Sequence, residues 1–269
     1  MIMREVFKQY LFERNIRKSG KASSYLKALE YLNLVIHHFG HLSIYQVTSP
    51  SVVQELYTSV LAEQKKDTQS IFSGIVTSES YWRRGYISAA LRAYQTFLEE
   101  DQYISEALSA YSQDIPFERI TEHIEAMPEM GVDFVGKETF ATRRMRLNQQ
   151  VFARKIREAY NATCCITGLS FAKLNRAGHI IPWSEREGIR LDPRNGIYLS
   201  ATYDVAFDRH LISLDQEYRL IVGSSLKDFY TKDIFQEYFQ RIEGTQIALP
   251  AVRFRPKEEY LAWHRERLV

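Results

Sequence analysis

Cysteine is nearly absent: the 269-residue chain has two, and they are neighbours, Cys164 and Cys165. Adjacent cysteines seldom close a disulfide, and two thiols cannot build a four-cysteine zinc centre. No structural zinc is expected, and a reducing cytoplasm is the simple setting. A run of about eighteen apolar residues is also missing, so no membrane span is expected. Met1-Ile2-Met3-Arg4-Glu5 leads straight into mixed sequence, without the apolar core of a signal peptide. Nor is one charge in excess. Lys and Arg total 35 against 33 Asp and Glu, a net charge of +2, which neither demands nor excludes a polyanionic partner.

What is present is a globular composition. Hydrophobic residues make up 45% of the chain and charged residues 25%, enough for one large or two modest cores. Charge is unevenly spread: residues 143–219 hold 13 Lys and Arg against 8 Asp and Glu. That local excess suits either a phosphate backbone or an ordinary mixed surface.

Residues 1–100 read as helical. Val6, Tyr10, Leu11 and Phe12 fall at helical spacing before Ser19-Gly20, a stop signal. Ser23 or Ser24 is placed to cap a second helix carrying Leu26, Leu29, Leu32 and Ile36, closed by Gly40. Ser49-Pro50 opens a third through Val53, Leu56, Val60 and Leu61. A fourth is predicted over residues 87–98, with Leu91, Tyr94 and Phe97 on one face. These stripes predict the core faces of a small bundle. Residues 101–145 are mixed, with Pro116, Pro128, Gly131 and Gly136 as breakers, and read as the connection between domains. Phe152, Ile156 and Tyr160 then predict a helix ending near Asn161. Beyond it, short apolar runs alternate with turn signals: Ile180-Ile181 before Pro182, Ile197-Tyr198-Leu199 after Asn195-Gly196, then residues 211–214 and 220–222. A helical region over residues 228–240 and a last short helix over 258–267 complete an α+β chain.

Three segments carry the chemistry: Ala177-Gly178-His179-Ile180-Ile181-Pro182-Trp183, Asp192-Pro193-Arg194-Asn195-Gly196-Ile197-Tyr198-Leu199, and Asp204-Val205-Ala206-Phe207-Asp208. His179 precedes two β-branched residues and a proline, which puts it on a strand with a sharp end. Asn195-Gly196 is a turn signal, and Ile197 starts the return strand. Asp204 and Asp208, four apart, share one face of a helix. Phosphodiester hydrolysis needs a base to activate water and a cation to neutralise charge on the phosphate and leaving oxygen. Imidazole titrates near the working pH, so His179 can be the base. Carboxylates from Asp204 and Asp208 suit a hard cation such as Mg²⁺ or Mn²⁺. Asn195 can use its amide to fix the loop that orients His179, or serve as a turn residue only.

Taken in order, these segments and Cys164-Cys165-Ile166-Thr167-Gly168 resemble the motif blocks of the HNH endonuclease family in its restriction-type subgroup. Arg146-Leu147-Asn148-Gln149-Gln150-Val151-Phe152 and Tyr160 upstream, and Leu249-Pro250 with Pro256 and Tyr260-Leu261-Ala262-Trp263-His264-Arg265-Glu266 downstream, resemble the flanks, so the likeness covers residues 146–269. It implies a helical N-terminal domain followed by a C-terminal ββα-metal nuclease module. His179 would be the general base, Asn195 the structural asparagine and Asp204 the metal ligand on the helix, with Asp208 beside it. The substrate would be DNA, the cofactor one Mg²⁺ or Mn²⁺, and the setting restriction or defence. Arg143, Arg144, Arg146 and Arg194 are the basic residues expected to meet the DNA backbone, the first three suiting a solvated face equally. A cutter of both strands would suit a homodimer. Ser24-Tyr25-Leu26-Lys27-Ala28-Leu29 and Tyr86-Ile87-Ser88-Ala89-Ala90-Leu91-Arg92-Ala93-Tyr94 resemble the helical core-binding domains of tyrosine recombinases, which implies DNA binding by residues 1–100; mediating contacts is the other role open to them.

Two positions depart from the HNH pattern. Gly178 stands where many members have a metal-binding Asp, leaving the metal to Asp204 with Asp208, His210 or water. His210 stands where a Gly is expected; it reads as a further ligand, a phosphate contact or an incidental surface residue. Gly178 also supports a second reading, a DNA-binding or regulatory protein whose nuclease module is inactive. A nuclease acting on RNA is a third.

Overall fold

The computed structural model describes residues 2–15, 19–74, 79–113, 115–127 and 140–269. Among the described residues the chain divides into two compact units between Tyr103 and Ile104. Of the breakers read in the connecting segment, Pro128, Gly131 and Gly136 lie outside the described residues.

The first unit is helical: α1 (Ile2–Arg14), α2 (Lys21–Val35), α3 (Pro50–Gln64), α4 (Glu79–Trp82) and the part of the long α5 (Tyr86–Ala110) up to Tyr103. Leu26, Leu29 and Leu32 of α2, Val53, Leu56 and Val60 of α3, and Ile87, Leu91 and Tyr94 of α5 share one core. Phe7 of α1 packs edge-on against Tyr94 at 5.0 Å and lies 5.4 Å from Phe97. The stripe on α1 differs from the expected one. Phe7 and Leu11, one turn apart, are buried, whereas Val6 and Phe12 are 46% and 45% exposed, because each lies about 100° around the helix from a stripe residue. Gly20 adopts φ 66 and directly precedes α2, so Ser23 and Ser24 lie inside the first turn rather than at its cap. Gly40, at φ 80, ends the 3₁₀ turn Ile36–Phe39 that follows α2. Helix α5 outruns its expected end at residue 98, because Tyr103, Ile104, Ala107 and Ala110 continue to bury apolar surface.

The second unit holds α6 (Ile120–Glu125), α7 (Phe140–Ala159), β1 (Asn175–His179), β2 (Gly196–Ser200), α8 (Ala201–Asp208), β3 (Ile212–Leu214), β4 (Leu220–Val222), α9 (Ser224–Lys227), α10 (Asp233–Tyr238) and α11 (Glu258–Arg265). Much of the segment read as a connection is structure of this unit. Ile120 and Ile124 are buried. The Tyr111 hydroxyl donates to the Leu191 carbonyl at 2.8 Å, and the Leu191 amide donates to Thr121 Oγ1 at 3.3 Å.

Strands β1 and β2 pair antiparallel, with His179 opposite Gly196 and Gly178 opposite Ile197. Residues 180–195 join them, so Asn195-Gly196 is not a two-residue hairpin turn. Gly196 is extended, at φ −129 and ψ 148, and crowding rather than dihedral freedom explains its glycine. A Cβ there would stand 2.2 Å from Ile156 Cδ1 and 2.8 Å from Phe152 Cζ. Helix α7 therefore lies hard against one face of the hairpin. Helix α8 covers the other: a Cβ on Gly178 would stand 3.1 Å from Asp204 Oδ1 and 3.8 Å from Ile197 Cγ2. Strands β3 and β4 form a separate antiparallel pair.

Helix α11 is fastened by the buried His264. Its ring stacks on Phe207 at 3.8 Å. Nε2 donates to the Phe207 carbonyl at 3.0 Å, which leaves Nδ1 to accept from Ser213 Oγ at 2.9 Å. Burial, with His210 adding to it, holds the His264 pKa down to about 4, against an ordinary value of 6.5. The unfolded chain therefore takes up this proton first as pH falls. Stability is full above about pH 6.5 and is lost progressively towards pH 4. Thermal midpoints measured across that interval should fall in the wild type and fall less steeply in His264→Gln, although the variant starts lower; parallel slopes would show that His264 is not the group responsible.

Candidate active site

His179 ends β1, and the crowding that makes residue 196 a glycine also brings Phe152 to it. The imidazole stacks on Phe152 with centroids 3.6 Å apart and 11° between planes. The Trp183 ring meets it edge-on at 5.6 Å. Nε2 lies 3.0 Å from the Arg190 carbonyl. A carbonyl can only accept, so Nε2 carries the hydrogen and Nδ1 of the neutral ring keeps its lone pair. Burial pushes the His179 pKa down to about 4, with the Arg190 carbonyl opposing, so the ring is neutral at pH 7. The side chain is half-buried, not sealed. Arg190 is itself anchored: its Nε donates to the Trp183 carbonyl at 2.9 Å, and its guanidinium lies 5.3 Å from that indole.

Asn195 is 1% exposed and grips the chain just past His179 from both sides. Its Oδ1 accepts from the Ile181 amide at 2.8 Å and its Nδ2 donates to the Ile181 carbonyl at 3.1 Å. Its own carbonyl accepts from the Ile180 amide at 2.9 Å. The loop between the strands is held by a second buried group. Asp192, 0% exposed, accepts from the Arg194 amide, Nε and Nη2 at 2.9, 2.9 and 2.8 Å, and from the Tyr260 hydroxyl at 3.1 Å. Arg194 also pairs with Glu118 at 2.6 Å, and Lys257 joins Glu118 at 3.1 Å. Hydrogen bonds from Arg194 and Lys257 pull the Glu118 pKa down to about 2.

The acid pair stands on α8. Asp204 is buried and Asp208 lies nearer solvent. Burial and the neighbouring Asp208 raise the Asp204 pKa, and burial raises that of Asp208, with Arg176 opposing both shifts. Two carboxylates in mutual tension form a donor set that suits a hard cation. Among the described residues, no three His, Cys, Asp or Glu side chains gather as a metal cluster. Gly178 explains part of this. It packs directly against Asp204, and no side chain there adds a ligand.

The sequence-derived residues thus fall into two groups that do not touch. His179 and Asn195 lie with α7 and the loop; Asp204 and Asp208 lie beyond Gly178, on the α8 side. Successive residues of β1 point to opposite faces, so positions 178 and 179 serve one group each. The basic residues need correction. Arg143 is 2% exposed and cannot present itself to a phosphate. Arg144 donates to the carbonyls of Glu125 and Met127 at 2.5 and 2.8 Å. Arg146 is half-buried and has partners of its own. Arg194 is committed to Asp192 and Glu118. The first three stand on α7, and the run Arg143-Arg144-Met145-Arg146 did not disclose which of them that helix buries. His210 adopts φ 55, the left-handed conformation that accounts for a glycine being expected there. Its ring packs towards α11, 4.5 Å from His264 and 6.1 Å from Trp263. Cys164 and Cys165 are buried. Cys164 Sγ accepts from the Ser200 amide at 3.1 Å.

Three contributors escaped the sequence reading. Asp192 had a signal, since an Asp before Pro-Arg-Asn is a good cap for a short turn. Phe152 read only as a helix stripe, and nothing in the sequence marked Arg176. Replacing Asn195 with Ala leaves the Ile181 amide and carbonyl without partners, and should destabilise the protein by about 3 kcal/mol; chemical denaturation measures this, and a loss under about 1 kcal/mol would deny the clamp. Burial also raises the Cys165 pKa well above its usual value. Thiol reagents should label neither cysteine until the protein is unfolded.

No curated protein matches the chain. The stretch that carries β1, the connecting loop, β2, α8 and β3, and with them His179, Asn195, Asp204 and Asp208, is similar to the HNH endonucleases: the model of that family matches residues 164–215.

Proposed function

We propose that the protein is a metal-dependent endonuclease that hydrolyses DNA phosphodiester bonds, in restriction or defence. One observation carries this reading: Nε2 of His179 is committed to the Arg190 carbonyl, so the basic nitrogen is Nδ1, on a ring kept neutral by burial. A water molecule gives its proton to Nδ1 as its oxygen attacks phosphorus. The 3′-oxygen leaves on the opposite side, takes up a proton, and a 5′-phosphate remains. In-line displacement places attacking and leaving oxygens on opposite sides of phosphorus. The chain offers a base on the α7 side of β1 and carboxylates on the α8 side, and the reaction requires both to reach the same phosphate.

Asp204 and Asp208 would hold one Mg²⁺ or Mn²⁺, their remaining ligands being water and phosphate oxygens, an ordinary set for such ions. Bound there, the ion would neutralise charge on the phosphate and leaving oxygen. Asn195 keeps the end of β1 in place, and Phe152 and Trp183 fix the plane of the imidazole. The helical residues 1–100 would add DNA binding, and a homodimer would allow both strands to be cut.

A second reading, a DNA-binding protein with an inactive module, is favoured by Gly178 and by the two-carboxylate donor set. Plasmid cleavage in Mg²⁺ or Mn²⁺ separates the two. Wild type should nick DNA, and His179→Ala should be slower by about 10²- to 10⁴-fold. DNA binding without nicking in any metal would establish the second reading, and cleavage of RNA in place of DNA would change the substrate. With the His179 pKa at about 4, its basic form dominates throughout the neutral range. The single-turnover rate should therefore show no inflection near pH 6.5 and should fall only at lower pH. An inflection at 6.5 that disappears in His179→Ala would contradict the assigned environment.

A further inference from the structure

Arg176 lies two residues before Gly178 on β1, on the same face as Gly178 and hence facing α8. Its Nη1 is 3.6 Å from Asp204 Oδ2. Its charge also opposes the rise in the Asp208 pKa. Two features distinguish it from a structural arginine. Its side chain is 62% exposed, and 3.6 Å is long for a charge-assisted hydrogen bond, which closes to about 2.7–2.9 Å. Arg194 shows the contrast: its side chain is 20% exposed and meets the fully buried Asp192 at 2.8 Å. Arg194 is locked in place, whereas Arg176 rests beside its acids and has solvent to move into.

We infer that Arg176 is an internal counter-cation of the Asp204–Asp208 pair, which an entering divalent ion must displace. This rests on the proposed metal role of the pair. The reasoning is charge balance. With Arg176 in place, two carboxylates and one guanidinium present a net single negative charge to an ion. With the guanidinium turned away, they present two. Gly178 packs directly against Asp204, so the room for the exchange lies on the solvent side of the pair, where Arg176 stands exposed. Arg176 is thus a positioning residue that sets metal affinity, and the protein gives up some of that affinity to keep the buried Asp204 neutralised when no metal is bound.

Calorimetric titration of Mn²⁺ into the full-length protein tests this without reference to cleavage. Arg176→Gln should bind Mn²⁺ about tenfold more tightly than wild type, since a unit positive charge close to the ion is removed. Arg176→Lys, which keeps the charge, should stay near wild type, and Asp204→Asn should lose binding. Circular dichroism should show all three variants folded, with Arg176→Gln melting somewhat below wild type in the absence of metal because the buried Asp204 loses its counter-charge. Unchanged or weaker binding in Arg176→Gln, with Asp204→Asn still abolishing it, would overturn the counter-cation role while leaving the metal site standing. Tightening in Arg176→Lys equal to that in Arg176→Gln would also overturn it, because charge would not be the cause. Absence of Mn²⁺ binding in every protein would overturn the metal reading and this inference together.

Discussion

The side-chain amide of Asn195 is the constraint on which the site depends. It meets the amide and the carbonyl of Ile181 at once, inside a volume that water does not enter. Neither backbone group has a strand partner there, because β1 ends at His179. The amide stands in for a missing stretch of sheet. It lets the strand stop abruptly while keeping its last side chain where pairing with Gly196 would place it. Without such a clamp a sixteen-residue excursion between two five-residue strands would leave the end of β1 free to fray.

Around this clamp the molecule separates two electrostatic tasks that would otherwise interfere. A neutral imidazole needs a dry, weakly polar setting, and it obtains one between Phe152 and Trp183. A pair of carboxylates needs a nearby positive charge, and Arg176 supplies it from the far side of the same strand. Placing both on one face would set an ionised acid beside the imidazole and raise its pKa. The alternation of a β-strand keeps them apart at the cost of a single residue position, and the glycine at 178 is where the two environments meet.

Much of this was legible in the amino-acid sequence, and what was not has a common physical cause. The strand ending at His179, the return strand at Ile197 and the one-turn spacing of Asp204 and Asp208 followed from local rules, and the structure has each of them. The Asn195-Gly196 pair suggested a tight turn, because that dipeptide has two distinct uses. Here the asparagine is wanted for its amide and the glycine for lack of a Cβ beneath α7, and neither use shows in the dipeptide itself. The cluster at Arg143, Arg144 and Arg146 read as a surface for DNA or as a solvated face, because charge suggests exposure. Burial of Arg143 is a tertiary outcome, set by what α7 packs against. Arg176 was invisible for the same reason: its significance lies in a contact across twenty-eight positions of chain. Helix α1 misled by one residue, since Val6 and Phe7 are both apolar and only packing decides which of them faces inward.

The ring of Phe152 belongs to α7, outside the stretch that matches the HNH endonucleases. The plane of the imidazole is thus governed by a residue that the family signature does not include. Two proteins with identical signatures can accordingly differ in the orientation and basicity of their histidine if the helix ahead of the signature differs. Grafting the signature alone onto another scaffold would transfer the histidine while leaving behind the surface that aims it.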